Sequence, residues 1–275
     1  MCATALVVGR EGTTDWRHRL LLIITAGSFV AVFWLDPIAQ DPFYHQFADQ
    51  RSLLGIPNWQ NVLSNLPFLF VGGAGLGHAL KTSHRPPRLS WCVFFIGVGL
   101  TCLGSMYYHW EPSDQTLVLD RLPMTLGFTG VFVAVLSEFV TPRLERFLLL
   151  PAVGLGMFSV FLWQQVGDLR LYIWVQGIPM LVIPFLILFF NNGFTHRRYL
   201  PYALICYLLS KVLEFSDHAV FALTRGWLGG HALKHLMAAL GAWFIYDMLR
   251  KRTPTSQPAC AEPSINGDAT RPVRD

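Results

Sequence analysis

The sequence predicts an all-α, polytopic transmembrane helix bundle with eight spans, and three observations lead to that fold class. Hydrophobic residues make up 53% of the 275 residues and charged residues only 14%, whereas soluble domains carry about 25% charged residues. Apolar segments near the length that crosses a bilayer, about 20 residues, recur along the chain. Lysine and arginine concentrate in alternate loops, as is typical of cytoplasmic loops. The formal net charge of +4 therefore requires no nucleic acid partner.

The first apolar run, residues 20–35, is short for a span and has the length of a signal peptide. No cleavage site of small residues follows it, because Trp34, Asp36 and Pro37 come next, so we interpret it as a retained helix. The other predicted spans cover residues 58–80, 89–110, 120–140, 147–165, 171–190, 199–223 and 230–249. The predicted organisation is a cytoplasmic segment (1–19), a transmembrane domain (20–250) and a disordered cytoplasmic tail (251–275) that is rich in Pro, Ser and charge.

Two sets of polar residues occur at helical spacing inside predicted spans. The first set is expected to hydrogen-bond to neighbouring helices; it comprises Asn58, Asn61, Ser64 and Asn65. The second set is expected to pair or to line a wet cavity; it comprises Lys211, Glu214, Asp217 and His218. For the second set, the sequence leaves open a buried Lys211–Glu214 ion pair or a pocket for a lipid headgroup.

The side of the membrane follows from the loop charges. Most lysines and arginines fall on the side that carries both termini, which predicts that both termini are cytoplasmic. With eight spans, the polar residues of the helices then gather at the non-cytoplasmic ends. They lie within about two helical turns, or roughly 11 Å of depth, where water can reach them.

Three histidines in this region have the pattern of a metal site. His231 and His235 stand four residues apart and share a helix face, and His109 ends another span. Three neutral imidazoles leave a tetrahedral zinc ion with one position for water, which is typical of a catalytic site. Such an ion lowers the pKa of water to about 7. Asp120 is suited to orient that water, and Ser105 to donate to an oxyanion, which predicts metal-assisted hydrolysis of an acyl bond in a lipid.

These motifs resemble those of the alkaline ceramidases in the CREST group of membrane hydrolases, including bacterial ceramidase-like membrane proteins. The resemblance rests on Ser105-x-x-x-His109, Asp120, His231-x-x-x-His235 and the stretch 61–67, and extends over about residues 49–250. It implies a seven-helix core around a zinc site, here with one extra N-terminal helix. It also implies that the histidines bind Zn²⁺, that Ser105 and Asp120 assist, and that a ceramide-like membrane lipid is split into a sphingoid base and a fatty acid.

The loop before the second predicted span departs from that family, which has an acidic calcium-binding cluster there. Asp49 is retained, but Arg51 follows it, and Asn58 stands where a glutamate is expected. Calcium requires several carboxylate oxygens, so we expect no Ca²⁺ here and hypothesise that Arg51 replaces the ion. The residues expected to form a second site or to contact the headgroup are Asp49, Arg51, Asn58, Asn61 and Asp217.

The fold alone does not determine the function. The alternatives are a hydrolase of another acyl lipid and a CREST-like receptor or other non-catalytic membrane protein with a structural zinc site. The sequence specifies neither the acyl chain length nor the oligomeric state.

Overall fold

The computed structural model describes residues 15–81 and 88–255, in which the helices are joined by loops and there is no β-strand. The all-α prediction is confirmed for these residues. Residues 1–14, 82–87 and 256–275 lie outside them, and so do most of the predicted N-terminal segment and tail. The helices are α1 (Trp16–Trp34), α2 (Trp59–Leu63), α3 (Leu66–Lys81), α4 (Arg88–Trp110), α5 (Asp114–Phe139), α6 (Arg143–Val166), α7 (Arg170–Phe189), α8 (Tyr199–Phe215), α9 (Asp217–Leu223) and α10 (Gly230–Lys251).

Among the described residues, six helical segments are long and apolar enough to cross a membrane: α1, α2 together with α3, α4, α5, α6 and α7. This supports a multi-pass membrane protein. The predicted count of eight remains a prediction for the last two spans. Helix α8 has only 17 residues, and α10 contains Lys234, Asp247 and two terminal basic residues.

Two predicted span boundaries were wrong. The span predicted for 199–223 is interrupted at Ser216, so α8 ends at Phe215 and α9 starts at Asp217. The span predicted to begin at Asp120 begins at Asp114, because Ser113 forms a capping box with Thr116 that satisfies free N–H groups of the first turn. Asp120 therefore lies well inside α5 rather than at its start.

Helices α4 and α5 form the centre of the bundle, with α3 packed on α4, and α6 and α7 packed on α5. Helix α10 packs against α8 and α3. Glycine permits the closest approach: a Cβ atom at Gly104 of α4 would lie 2.0 Å from the Leu119 carbonyl oxygen of α5. Small residues at such contacts allow helix backbones to pack closely, and this contact holds Ser105 and Asp120 side by side.

Helix α1 packs against α7 and is held by the connector between α6 and α7. The Arg170 guanidinium pairs with Asp168 at 2.8 Å and donates to the Leu35 carbonyl at 2.6 Å, just beyond the end of α1. Asp168 also accepts from the Ile38 amide. The hydrogen bond from Arg170 lowers the pKa of Asp168. The connector at 167–170 thus anchors the additional N-terminal helix.

The residues after α10 contact the loop between α7 and α8 and the C-terminal end of α5. The Thr255 amide bonds to the Gly193 carbonyl and the Thr195 amide to the Thr253 carbonyl. Arg252 pairs with the buried Glu138 of α5. The part of the predicted disordered tail that falls on described residues is therefore ordered up to Thr255.

Candidate metal centre

The three predicted histidines come together from two helices. His109 ends α4, and His231 and His235 occupy the first two turns of α10; all three are at least 95% buried. Their candidate ligand nitrogens lie within 4.8 Å of one another. The Nε2 atoms of His109 and His235 are 3.2 Å apart, whereas two nitrogens of a tetrahedral zinc site are about 3.3 Å apart for Zn–N bonds of 2.0–2.1 Å. The residues fit a metal ion of this kind.

Hydrogen bonds around the rings favour this assignment. His235 Nδ1 lies 2.8 Å from the Ser64 hydroxyl, which itself donates to the Asn61 carbonyl at 3.1 Å. Nδ1 is therefore the donor, and Nε2 carries the lone pair that faces His109. Nδ1 of His109 and Nε2 of His231 are buried and have no hydrogen-bond partner. A buried unpaired nitrogen is costly, and binding to a metal would remove that cost for Nε2 of His231. His109 faces His235 through its Nε2, so its Nδ1 stays unpaired in this arrangement.

The two predicted assisting residues are adjacent to each other. Ser105 lies one turn before His109 on α4, and its hydroxyl lies beside the Asp120 carboxylate, where Gly104 packs against the backbone of Leu119 and Asp120. Both residues are more than 90% buried, and Asp120 Oδ1 has no hydrogen-bond partner. No hydrogen bond joins Asp120 directly to a histidine in the described part of the chain. Asp120 is therefore connected to the cluster through Ser105.

The loop between α1 and α2 covers the histidines. Phe47 is 3% exposed, and its ring centroid lies 4.8 Å from that of His109 and 4.6 Å from that of His231. The loop is fixed beside this contact by Asp217, whose carboxylate accepts from the Ala48 amide and from the His231 amide, each at 2.9 Å. Asp217 thus caps α10 and fastens the loop over the site.

Asp49 and Arg51 form the ion pair that is expected if Arg51 replaces a calcium ion. Arg51 Nε lies 2.7 Å from Asp49 Oδ1 and Nη2 lies 2.9 Å from Oδ2, and Nη2 also donates to the Trp227 carbonyl. The hydrogen bond to Asp49 raises the pKa of Arg51. The guanidinium therefore occupies both oxygens of the one retained carboxylate. The absence of calcium remains a prediction.

The two asparagines lie on the other side of the cluster. Asn58, in the left-handed conformation with φ 46°, donates from its side chain to the His109 carbonyl at 2.9 Å and so holds the end of α4. Asn61 is 1% exposed, and neither its side-chain oxygen nor its nitrogen has a hydrogen-bond partner. Asp49, Arg51, Asn58 and Asp217 thus support the loop and helix ends around the histidines, and none of them bonds to a histidine ring.

A buried ion network lies beside the histidines. The predicted Lys211–Glu214 pair is confirmed at 2.8 Å, and Lys234 of α10 bonds to the other Glu214 oxygen at 2.6 Å. The Tyr44 hydroxyl donates to Glu214 at 2.9 Å. Asp217 and His218 do not join this network, because the break at Ser216 turns them towards the 36–57 loop, where His218 contacts the Gln46 carbonyl.

An apolar cavity of about 160 Å³ extends into the bundle below the site. Its lining comes from six helices and includes Phe68, Thr101, Met124, Tyr207 and Ala238. A cavity of about this size admits a benzene-sized apolar group. The cavity begins one helical turn inward from Ser105, Asp120 and His235, so it is placed to receive a short segment of an apolar chain whose polar end lies at the histidines.

The sequence interpretation missed four residues of this region: Phe47, Tyr44, Lys234 and the histidine-bonding role of Ser64. Phe47 and Tyr44 belong to a loop with no periodic pattern. Lys234 lies between two histidines, and its spacing gave no sign of a partner on α8. For Ser64, the only sign in the sequence of a contact with a histidine was its position three residues after Asn61, on the same helix face.

No protein-family model matches this chain, and no curated protein is significantly similar to it. The resemblance to ceramidases therefore rests on the short motifs given above. The function has to be argued from the residues of the site.

Proposed function

We propose that the protein is a zinc-dependent membrane hydrolase that cleaves the N-acyl bond of ceramide or a related lipid amide into a sphingoid base and a fatty acid. One observation carries the proposal: three buried histidines, a buried serine–aspartate pair and an apolar cavity meet at one level of the bundle. A structural zinc site is normally closed by four protein ligands. Three histidines beside an unpaired carboxylate suit a site that admits water and substrate.

Each residue has a distinct role in this proposal. His109, His231 and His235 hold the ion, which when bound activates water near neutral pH and polarises a carbonyl oxygen. Asp120, with one carboxylate oxygen free of partners, accepts a proton from the attacking water and later delivers it to the leaving amine. Ser105 donates its hydroxyl to the ionised Asp120 carboxylate; once Asp120 has accepted the proton, the same hydroxyl is free to donate to the oxygen that gains charge. Phe47 limits access of bulk water from the loop side.

The location of the site supports a lipid substrate. Helix ends carry the polar residues, while the adjoining cavity is apolar, and a lipid amide has the same division between its polar centre and its chains. The loop charges further support cytoplasmic termini and a site near the non-cytoplasmic face.

The test is the release of fatty acid from a panel of ceramides by purified, zinc-loaded protein in mild detergent. Asp120→Asn is expected to lower the turnover by at least about 100-fold, in the range of general acid–base catalysis. The control is Asp247→Asn, which changes another carboxylate that is 8% exposed, paired with Lys251 near the far end of α10. Bound zinc without hydrolysis of any lipid amide would instead favour the non-catalytic, structural zinc site.

A further inference from the structure

At the outer end of the apolar cavity, the side chains change from the cavity lining to polar residues on four helices. On each helix, the residue one turn outward from a cavity-lining residue is polar and lies on the same face, since residues four apart are stacked. The pairs are Thr101 and Ser105, Met124 and Asp120, Tyr207 and Lys211, and Ala238 and Lys234. Two of these four residues belong to the proposed reaction. The other two are lysines that the reaction does not use.

The two lysines share a single carboxylate. Lys211 Nζ bonds to Glu214 Oε2 and Lys234 Nζ bonds to Oε1, and these are the only hydrogen bonds that either ammonium makes in the described residues. The side chains of Lys211, Lys234 and Glu214 are 30%, 14% and 11% exposed. Each ammonium has three N–H donors, so both can still donate. Two ammonium groups face one carboxylate, so the network has one uncompensated positive charge.

Arg121 adds a further cation next to this network. It is 6% exposed and forms no ion pair with any described carboxylate, and its Nη1 atom has no hydrogen-bond partner. Its guanidinium donates to the Gln40 side chain and lies 4.0 Å and 4.9 Å from the ring centroids of Trp163 and Tyr172. It also lies 5.8 Å from the ring centroid of Tyr44, the residue whose hydroxyl bonds to Glu214. Even with Asp120 ionised, three cations face two carboxylates in this region. An uncompensated buried charge is costly in a low-dielectric interior.

We propose that Lys211 and Lys234 bind an anionic group of the substrate, a carboxylate, phosphate or sulfonate located next to the scissile amide. This inference rests on the proposed lipid amide hydrolysis and specifies its substrate class. With the amide at the histidines and the adjoining segment of the acyl chain in the cavity, the amine portion of the lipid extends towards α8 and α10. Lys211 meets it there, one turn above Tyr207, whose ring lies 5.9 Å from the Lys211 ammonium.

A purely structural ion pair would account for less of this arrangement. One lysine suffices to neutralise Glu214, and the second only adds charge to a buried site. Two lysines on different helices, held apart by a carboxylate that Tyr44 also orients, form a fixed pair of donors. Binding of an anion beside Glu214, by the N–H donors that both ammonium groups still have free, resembles the charge-assisted recognition common for carboxylate and phosphate groups.

The test compares two lipids that differ only in charge: N-palmitoylserine, with a carboxylate next to the amide, and N-palmitoylserinol, with a hydroxymethyl group there. A phosphorylated N-palmitoyl amino alcohol extends the test from carboxylate to phosphate. The readout is the ratio of kcat/KM for the anionic lipid to that for the neutral one. Wild-type protein is expected to prefer the anionic lipid, and Lys211→Met is expected to lower the ratio by about 10- to 100-fold, as for loss of a buried charge partner.

Glu214→Gln supplies the opposite perturbation. It removes the carboxylate that both lysines share, so the ratio is expected to rise. If the network is only structural, both substitutions break the same ion pair and affect both lipids equally. Lys251→Met is the control, because Lys251 pairs with Asp247 at the far end of α10 and should leave the ratio unchanged.

The outcomes separate this inference from the proposed function. Equal or better cleavage of the neutral lipid, or equal effects of Lys211→Met on both lipids, would overturn the anion site while leaving amide hydrolysis intact. If neither lipid is cleaved and the ceramide panel is not cleaved either, the proposed function fails and binding decides the inference. Tighter binding of N-palmitoylserine than of N-palmitoylserinol, lost in Lys211→Met, would then support the anion site, and equal binding would refute it.

Discussion

Replacing Ser64 with alanine tests whether hydrogen bonding outside the cluster prepares His235 to bind a metal. The Ser64 hydroxyl lies 2.8 Å from His235 Nδ1 and 3.1 Å from the Asn61 carbonyl, so it fixes the ring orientation and the nitrogen that carries the proton. Loss of such a supporting contact weakens metal binding by about 10- to 100-fold. This corresponds to about 1.4–2.8 kcal/mol of binding free energy.

The assay is competition for zinc between the purified protein and a chromophoric chelator in detergent. Ser159→Ala is the matched control, because Ser159 is fully buried and its hydroxyl also bonds to a carbonyl three residues earlier, at 2.6 Å, but it lies on α6 and has no histidine partner. We expect weaker zinc binding in Ser64→Ala only. Equal zinc affinity in wild type and Ser64→Ala would refute the argument that Ser64 sets the tautomer of His235.

Three further predictions concern the packing around the site. Gly104→Ala should destabilise the protein by about 1–3 kcal/mol through overpacking, measured by thermal unfolding, whereas Gly73→Ala, with open space at its Cβ position, should not. Asp168→Asn should lower Tm at pH 7, and the difference from wild type should shrink in acid. Arg170 lowers the pKa of Asp168 in the folded protein. The stabilisation by ionised Asp168 is therefore fully present above the usual aspartate pKa of about 3.9 and is lost as the pH falls through the lower pKa of the folded state. Phe47→Ala should speed zinc extraction by a chelator, since its ring covers two histidines; an unchanged rate would show that the loop does not limit access.

Sequence spacing sufficed for the part of the site that lies within single helices. His231 and His235 share a face because of the helical repeat, and Ser105 and His109 do so for the same reason. The convergence of α4, α5 and α10 was inferred from the common depth of their polar residues. The structure places the three histidines together, and it places Ser105 beside Asp120.

Contacts between helices and loops were beyond sequence reasoning, because no local pattern encodes them. Lys234 meets Glu214 only because α10 packs on α8. The break at Ser216 has no proline or glycine to mark it, so Asp217 was predicted on the face of Lys211 but instead caps α10. Phe47 covers the site from an irregular loop whose course depends on tertiary contacts.

The most direct test of the central claim is the zinc content of the purified protein, measured by mass spectrometry after expression without a metal-affinity tag. We predict about one zinc ion per chain in wild type, as expected for a single site with three histidine ligands. His231→Ala should lose the metal, and His78→Ala, which changes a histidine near the opposite end of the bundle, should retain it. Wild-type protein that contains no zinc and cannot be loaded with it, or a His231→Ala variant that retains it fully, would contradict the assignment of the metal centre.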